Sequence, residues 1–179
     1  MKTYIIKNDK DLLKFKDEYG YKIDGNAEFE YSAIFEGRLL VNGCLSIKAG
    51  EFIEAGGFIK AGWFIEAGES IKAGESIKAG EFIEAGGSIE AGDNYGISAV
   101  LSITCKGKLK FGLKAFAGIC TWKNISDQEK TITCGKMIGG VVEYGILKEL
   151  GLPDEKQESL SGKEVSVILD GKTYTAVIK

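Results

Sequence analysis

The chain has 179 residues, 44% hydrophobic and 27% charged, with a net charge of −3. That suits one main body with a real core and gives no bulk charge to draw it onto nucleic acid. Histidine is absent, which removes the commonest general base, the commonest nitrogen ligand and every imidazole-dependent triad, so the expectation is a non-enzyme with no cofactor and no bound metal.

Charges interrupt the apolar stretches every few residues, so neither a signal peptide nor a membrane span is expected, and the cytoplasm is the default location. Cys44, Cys105, Cys120 and Cys134 are far apart and form no C-x-x-C pair. They read as reduced and structural.

In chain order, residues 1–28 read as a cap: a strand at Thr3–Ile6, Asn8 or Asp9 as a helix cap, and a short helix over residues 10–19 closed by Gly20. From Ser46 to Gly92 the chain then repeats every six residues, as SIKAG, FIEAG, FIKAG, FIEAG, SIKAG, SIKAG, FIEAG, SIEAG with one spacer between units. Isoleucine recurs from Ile47 to Ile89 and alanine follows two residues later each time, from Ala49 to Ala91. Two residues apart in a strand share a face, so Ile and Ala point inward and the Lys or Glu between them points out. The glycine that follows is read as a corner residue. Strand and corner in alternation make a coil, and stacked coils put Ile on Ile and Ala on Ala.

Blurred copies flank the repeat. Phe29, Phe35 and Val41 are read as extending the isoleucine column backwards, with Gly37 and Gly43 in the alanine column; beyond residues 93–96 the pattern resumes as Ile97/Ala99, Ile103/Cys105, Leu109/Phe111 and Ala115/Ala117. The fold class is therefore a mainly β, parallel β-solenoid over residues 29–118, about five coils long. Vertical pairing of the Lys and Glu column does not decide between three and four strands per coil.

Residues 119–179 are expected to form a small α+β unit. Residues 141–150 read as a helix stopped by Gly151 and Pro153, and the alternation of Val165, Val167 and Leu169 with Tyr174, Ala176 and Ile178 around Asp170-Gly171 reads as a β-hairpin.

Two groups of side chains are candidates for partner binding. Phe52, Phe58, Trp63, Phe64 and Phe82 are read as facing outward with Lys and Glu, and serine fills the phenylalanine slot at 46, 70, 76 and 88, so the fold does not need bulk there. Such aromatics either bind a partner or seat a terminal cap. Lys106, Lys108, Lys110, Lys114 and Lys123, interleaved with Phe111, Phe116 and Trp122, suit a phosphate-bearing or single-stranded partner, and otherwise form a solvated face. Residues 46–93 carry four lysines against eight glutamates and Asp93, a net −5, which suits a basic partner or an ordinary soluble β-surface. No phosphate loop and no nucleophile with a neighbouring base is found.

The repeat resembles the hexapeptide-repeat solenoids, whose best-known members are left-handed β-helix acyltransferases. This chain departs from them, because alanine follows isoleucine instead of preceding it and the acyltransferase histidine is missing. Its [SFW]-I-[KE]-A-G-[EGW] runs are more similar to those of short bacteriophage and mobile-element proteins. That resemblance covers about a third of the chain and implies a phage or mobile-element origin. With the rigid scaffold, the missing catalytic inventory, the acidic rod and the outward aromatics, the expected function is a phage-borne inhibitor of bacterial defence, such as an anti-CRISPR, with a protein or nucleoprotein partner; a stacked or trimeric virion or filament component, hence a homo-oligomer, is the alternative. An enzyme site in the C-terminal unit is a third.

Overall fold

A computed structural model describes residues 1–152, 164–169 and 172–177. The repeat winds into a parallel β-solenoid with three faces. Each coil takes about eighteen residues, since Ile53 lies beside Ile71 and Ile71 beside Ile89. Three hexapeptides per turn settle the question that sequence left open.

The first face stacks Thr3–Ile6, Asn26–Phe29, Leu45–Ile47, Ile65–Ala67, Ile83–Ala85, Ile103–Cys105, Thr131–Cys134 and Ile146–Glu149. The second stacks Ala33–Phe35, Ile53–Ala55, Ile71–Ala73, Ile89–Glu90, Lys108–Lys110 and Lys136–Ile138. The third stacks Gly20–Ile23, Arg38–Val41, Ile59–Ala61, Ile77–Ala79, Ile97–Ala99, Lys114–Ala117 and Val141–Tyr144. With six strands on the second face the body has six coils, a rod on the order of 30 Å long at the usual strand spacing.

Alternation inside each three-residue strand dictates the interior. Ile53, Ile59, Ile65, Ile71, Ile77, Ile83 and Ile89 are all 0% exposed, and the alanines two residues on are buried with them. Burying each isoleucine contributes roughly 1.5–3 kcal/mol, repeated in every layer.

The flanking coils fill the same volume differently. Phe29 pairs with Ile47, which pairs with Ala67, and Phe35 with Ala55, so Phe29, Phe35 and Val41 lie in the alanine column, not the isoleucine column. The isoleucine column there holds Ala27, Ala33, Leu39 and Leu45. Large and small have changed places: a coil with alanine at the first position takes phenylalanine at the second, as a close-packed interior of fixed volume requires. The first repeat is likewise out of phase, because Leu45 takes the isoleucine slot, Ile47 the alanine slot, and Ala49 lies exposed in a turn that adds two residues before Ile53. Beyond the repeat, Ile97 stacks on Ile77, Ile103 on Ile83, Leu109 on Ile89 and Ala115 on Ile97.

The repeat glycines serve a purpose other than the one read from sequence. None of Gly56, Gly62, Gly68, Gly74, Gly80, Gly86 and Gly92 has a positive φ. Except at Gly56, where the nearest atoms lie 3.4 Å away, they are small because coils approach each other there: a Cβ on Gly80 would lie 1.9 Å from the Gly62 carbonyl oxygen, and one on Gly74 2.1 Å from that of Gly56.

Both ends correct the expected boundaries. The helix at the start is short, Asp9–Leu12 with a 3₁₀ turn at Leu13–Phe15, and Asn8 caps it by accepting from the backbone N–H of Lys10 at 3.0 Å and Asp11 at 3.3 Å. Lys16–Asp17 then pairs antiparallel with Gly20–Ile23, where a longer helix was expected. An ion pair of 2.8 Å from Asp17 to Arg38 fixes that edge strand to the next coil. Residues 141–150 are not a helix. They form Val141–Tyr144 and Ile146–Glu149, which continue the third and first faces in parallel. Gly145, at φ +121, would interrupt a helix at its middle, and the β-branched Val141, Val142 and Ile146 suit the waiting strand edges. The solenoid ladder thus runs from Thr3 to Glu149, beyond residues 29–118 on both sides, and residues 131–149 belong to it, not to a separate α+β unit. Glu164–Leu169 and Lys172–Val177 do pair as an antiparallel hairpin, whereas Pro153, Asp170 and Gly171 lie outside the described residues. Among the described residues no helix is long and apolar enough to cross a membrane.

Candidate interaction surface

Three corners separate the three faces, and the outward aromatics are distributed among them. Phe52 precedes the second face, and its backbone N–H donates to Ser32 Oγ at 3.2 Å. Serines continue that corner as a ladder: Ser70 Oγ accepts from the Ser88 N–H at 3.0 Å, and Ser88 Oγ from the Lys108 N–H at 2.9 Å. Phe58 precedes the third face, where the Arg38 guanidinium lies 5.9 Å from its ring and 5.1 Å from that of Tyr19. Both phenylalanines are half-buried and separately placed.

The remaining aromatics converge on the corner between the third and first faces, here the 3–1 corner. Phe64 and Phe82 are one coil apart and stack face to face, with ring centroids 5.0 Å apart and planes 3° from parallel. Trp63 stands beside them, 54% exposed. Backbone bonds set this ridge: Trp63 N–H donates to Gly43 O at 3.2 Å, Glu81 N–H to Trp63 O at 2.7 Å and Leu101 N–H to Glu81 O at 2.8 Å. The next rung after Phe82 in the stacked column is Ser102, because Ile65 N–H donates to Phe82 O and Ile83 N–H to Ser102 O.

At this same corner the chain departs from the coil after Lys114–Ala117 and returns at Thr131–Cys134. Trp122 projects from that excursion, 62% exposed. Its return is pinned by Glu129, whose carboxylate accepts from the N–H of Ser126 at 3.0 Å and its hydroxyl at 3.1 Å and pairs with Lys123. The Lys123 ammonium, with the Ser126 donors, pulls the Glu129 carboxyl down to about 2, and Lys123 is itself raised by Glu129. Cys120 and Glu81 also act on Lys123, which brings the excursion within electrostatic reach of the ridge. Trp63, Phe64, Phe82 and Trp122 therefore border one corner of the rod, with Glu81 and the Lys123–Glu129 pair among its charges.

The lysine group is scattered. Lys106 is at the corner between the first and second faces, Lys108 beside it opposite Lys136, and Lys110 on the second face pairs with Asp93 at 3.3 Å. Lys114 is at the next corner and pairs with Glu143 at 2.9 Å. Phe111 belongs to the core at 1% exposure, and Phe116 lies on the third face beside Tyr95, bordering a groove of about 460 Å³. One basic and aromatic patch is not formed.

The thiols lie mainly in the interior. Burial pushes Cys105 up to about 12 and Cys134 up to about 11, and desolvation also raises Cys44. Such thiols carry little thiolate at neutral pH. Glu81 was passed over in the sequence; a period of eighteen in place of six would have set it over Trp63, whereas its neighbours Gly43 and Leu101 in the same column lie twenty residues from Trp63 and Glu81 and emerge only from the backbone bonds.

The chain matches no protein family, and no curated protein or solved structure matches it.

Proposed function

We propose that this protein is a non-enzymatic binding protein that presents the aromatic 3–1 corner of a rigid rod to a macromolecular partner. The observation that carries the reading is the coplanar Phe64–Phe82 stack beside exposed Trp63, at a corner where Ser102 fills the next rung of the same column. An aromatic ridge that the coil does not require, held by backbone bonds on both sides, has the makings of a preorganised binding hot spot. Lys110 and Lys114 are matched by Asp93 and Glu143, and the lysines are spread over separate corners, which favours a protein or nucleoprotein partner over bare nucleic acid. The likeness of the repeat to phage-borne solenoids supports a finer assignment: the partner is a component of bacterial defence, which the rod blocks by occupying its surface.

The test compares the parent with W63S/F64S/F82S in a pull-down from a bacterial host lysate, beside thermal unfolding of both. Loss of the stack costs about 0.5–1.5 kcal/mol beyond the area the half-buried rings cover, a fall of several degrees at this chain length, while the Ile and Ala interior is untouched, so the variant stays folded while capture is lost. Equal capture by both proteins refutes the corner as the site, and capture of a partner unrelated to defence refutes the finer assignment.

A further inference from the structure

The signs of the outward charges are sorted by face. On the second face they alternate vertically as Glu54, Lys72, Glu90 and Lys110, and Lys72 pairs with Glu54 at 2.6 Å. The first face stacks Glu66 directly on Glu84, and the third stacks Lys60 directly on Lys78. All four are exposed and none belongs to an ion pair among the described residues. Like charges directly opposite on adjacent strands repel, and the alternating second face shows that this coil accepts the opposite arrangement.

The two like-charged columns match coil by coil. In successive coils the third face presents Lys22, Leu40, Lys60, Lys78 and Ser98, and the first face presents Glu28, Ser46, Glu66, Glu84 and Thr104. Over these five coils every lysine has a glutamate six residues on at the same level of the rod, and each uncharged rung has an uncharged counterpart; the match ends in the last coil, where Lys148 of the first face falls level with Tyr144 of the third. Within one chain these columns point out from different faces and do not meet.

We infer that the acidic first face of one copy docks on the basic third face of a second copy, with the rods parallel and in register. This alignment sets Glu28, Glu66 and Glu84 opposite the partner copy's equivalents of Lys22, Lys60 and Lys78, of which Lys22 also contacts Asp24 at 3.2 Å. A slip of one coil leaves a single opposite pair, and no antiparallel alignment reaches more than two. Complementary charge of this kind fixes register and suppresses wrong alignments. The contact is heterologous, so each added copy leaves another first face and third face open, and association extends past the dimer. Both docking faces border the 3–1 corner, so the aromatic ridges of neighbouring copies fall along the same edge of the contact. The inference goes beyond the proposed function and does not rest on it, since W63S/F64S/F82S leaves both charge columns intact.

Sedimentation velocity of the full chain over a range of protein concentrations, at low salt and at about 0.5 M salt, tests this. The parent is expected to associate at low salt and to dissociate at high salt. The variants K60E/K78E and E66K/E84K, each with the parent's far-UV spectrum, are expected to self-associate at least about tenfold more weakly. Mixed in equal amounts they regain association, because each then supplies the face the other lacks. A parent that stays monomeric at low salt, variants that associate as the parent does, or a mixture that fails to restore association would each overturn the inference. So would a single-stranded oligonucleotide that binds the parent monomer and loses affinity in K60E/K78E alone, which would make nucleic acid the occupant of the basic face.

Discussion

Replacing Gly80 with alanine separates two explanations of the repeat's glycine, a turn conformation and a close approach between coils. The added Cβ would lie 1.9 Å from the Gly62 oxygen and 2.9 Å from its carbonyl carbon, and contacts under 3.0 Å essentially never occur, so one coil must retreat by about an ångström. Retreat is opposed on both sides by backbone bonds: Gly62 N–H to Val41 O at 2.9 Å, Gly80 N–H to Ala61 O at 3.3 Å and Glu81 N–H to Trp63 O at 2.7 Å. Overpacking costs about 1–3 kcal/mol and each weakened bond about 0.5–1.5 kcal/mol, against which alanine recovers about 0.4–1 kcal/mol of chain entropy. The expected loss is about 3 kcal/mol, which for a chain of this size lowers the melting temperature by roughly 10 °C. Gly50→Ala is the control, since its Cβ would meet nothing within 4 Å while its φ of +81 is unfavourable for alanine. That left-handed conformation costs about 1–2 kcal/mol, again partly offset by entropy, so a fall of only a few degrees is expected. Thermal unfolding followed by far-UV circular dichroism reads both. If Gly80→Ala melts as high as Gly50→Ala, close approach is not what selects glycine.

Ile71→Asp puts a carboxylate where the side chain is 0% exposed between Ile53 and Ile89; a cost of several kcal/mol and loss of the cooperative melt are expected, and a parent-like melt would refute the register. The Glu129 carboxyl is held below its ordinary value of 4.5, at about 2, so its contribution is fully present above about 4.5 and is lost as pH falls towards 2. Trp122 fluorescence should report loosening of the excursion in that window, and Glu129→Gln should abolish the pH dependence. Alkylation of the native protein at neutral pH should modify the half-buried Cys120 first and spare Cys44, Cys105 and Cys134, whose thiols burial holds protonated, until denaturant is added, as peptide mass mapping would show.

The solenoid was legible because its residues repeat the same local rule, Ile and Ala inward with a charge between, and that rule needs no knowledge of what lies above or below. Quantities that depend on the neighbouring coil were hidden. Charge pairing could not decide the number of sides because only the second face alternates, while Glu66 over Glu84 and Lys60 over Lys78 count against any pairing scheme. The phase error at Phe29 and Phe35 has the same origin: both lie at six-residue spacing behind Ile47, and only the pairing of Ile47 with Ala67, and of Phe35 with Ala55, shows that this phase belongs to the alanine column. The strands at Val141–Tyr144 and Ile146–Glu149 are short and isolated in sequence, and what makes them strands is the free edge left by Lys114–Ala117 and Thr131–Cys134. The aromatic slot was visible, but not which aromatics meet; Phe64 and Phe82 stack because eighteen residues bring the chain back to the same corner.

A coil of about eighteen residues built from three equivalent hexapeptides also sets how such a chain can change length. Gain or loss of a whole coil keeps every downstream residue on its own face and alters only the reach of the rod. Gain or loss of one hexapeptide is tolerated equally well by the interior, since Ile again falls on Ile, but it turns everything downstream by a third of a revolution. Glu84 would then leave the column of Glu66, and Phe82 would leave the corner of Phe64. Folding alone would accept lengths that differ by six residues, whereas a surface that depends on which face a residue occupies would accept only steps of eighteen.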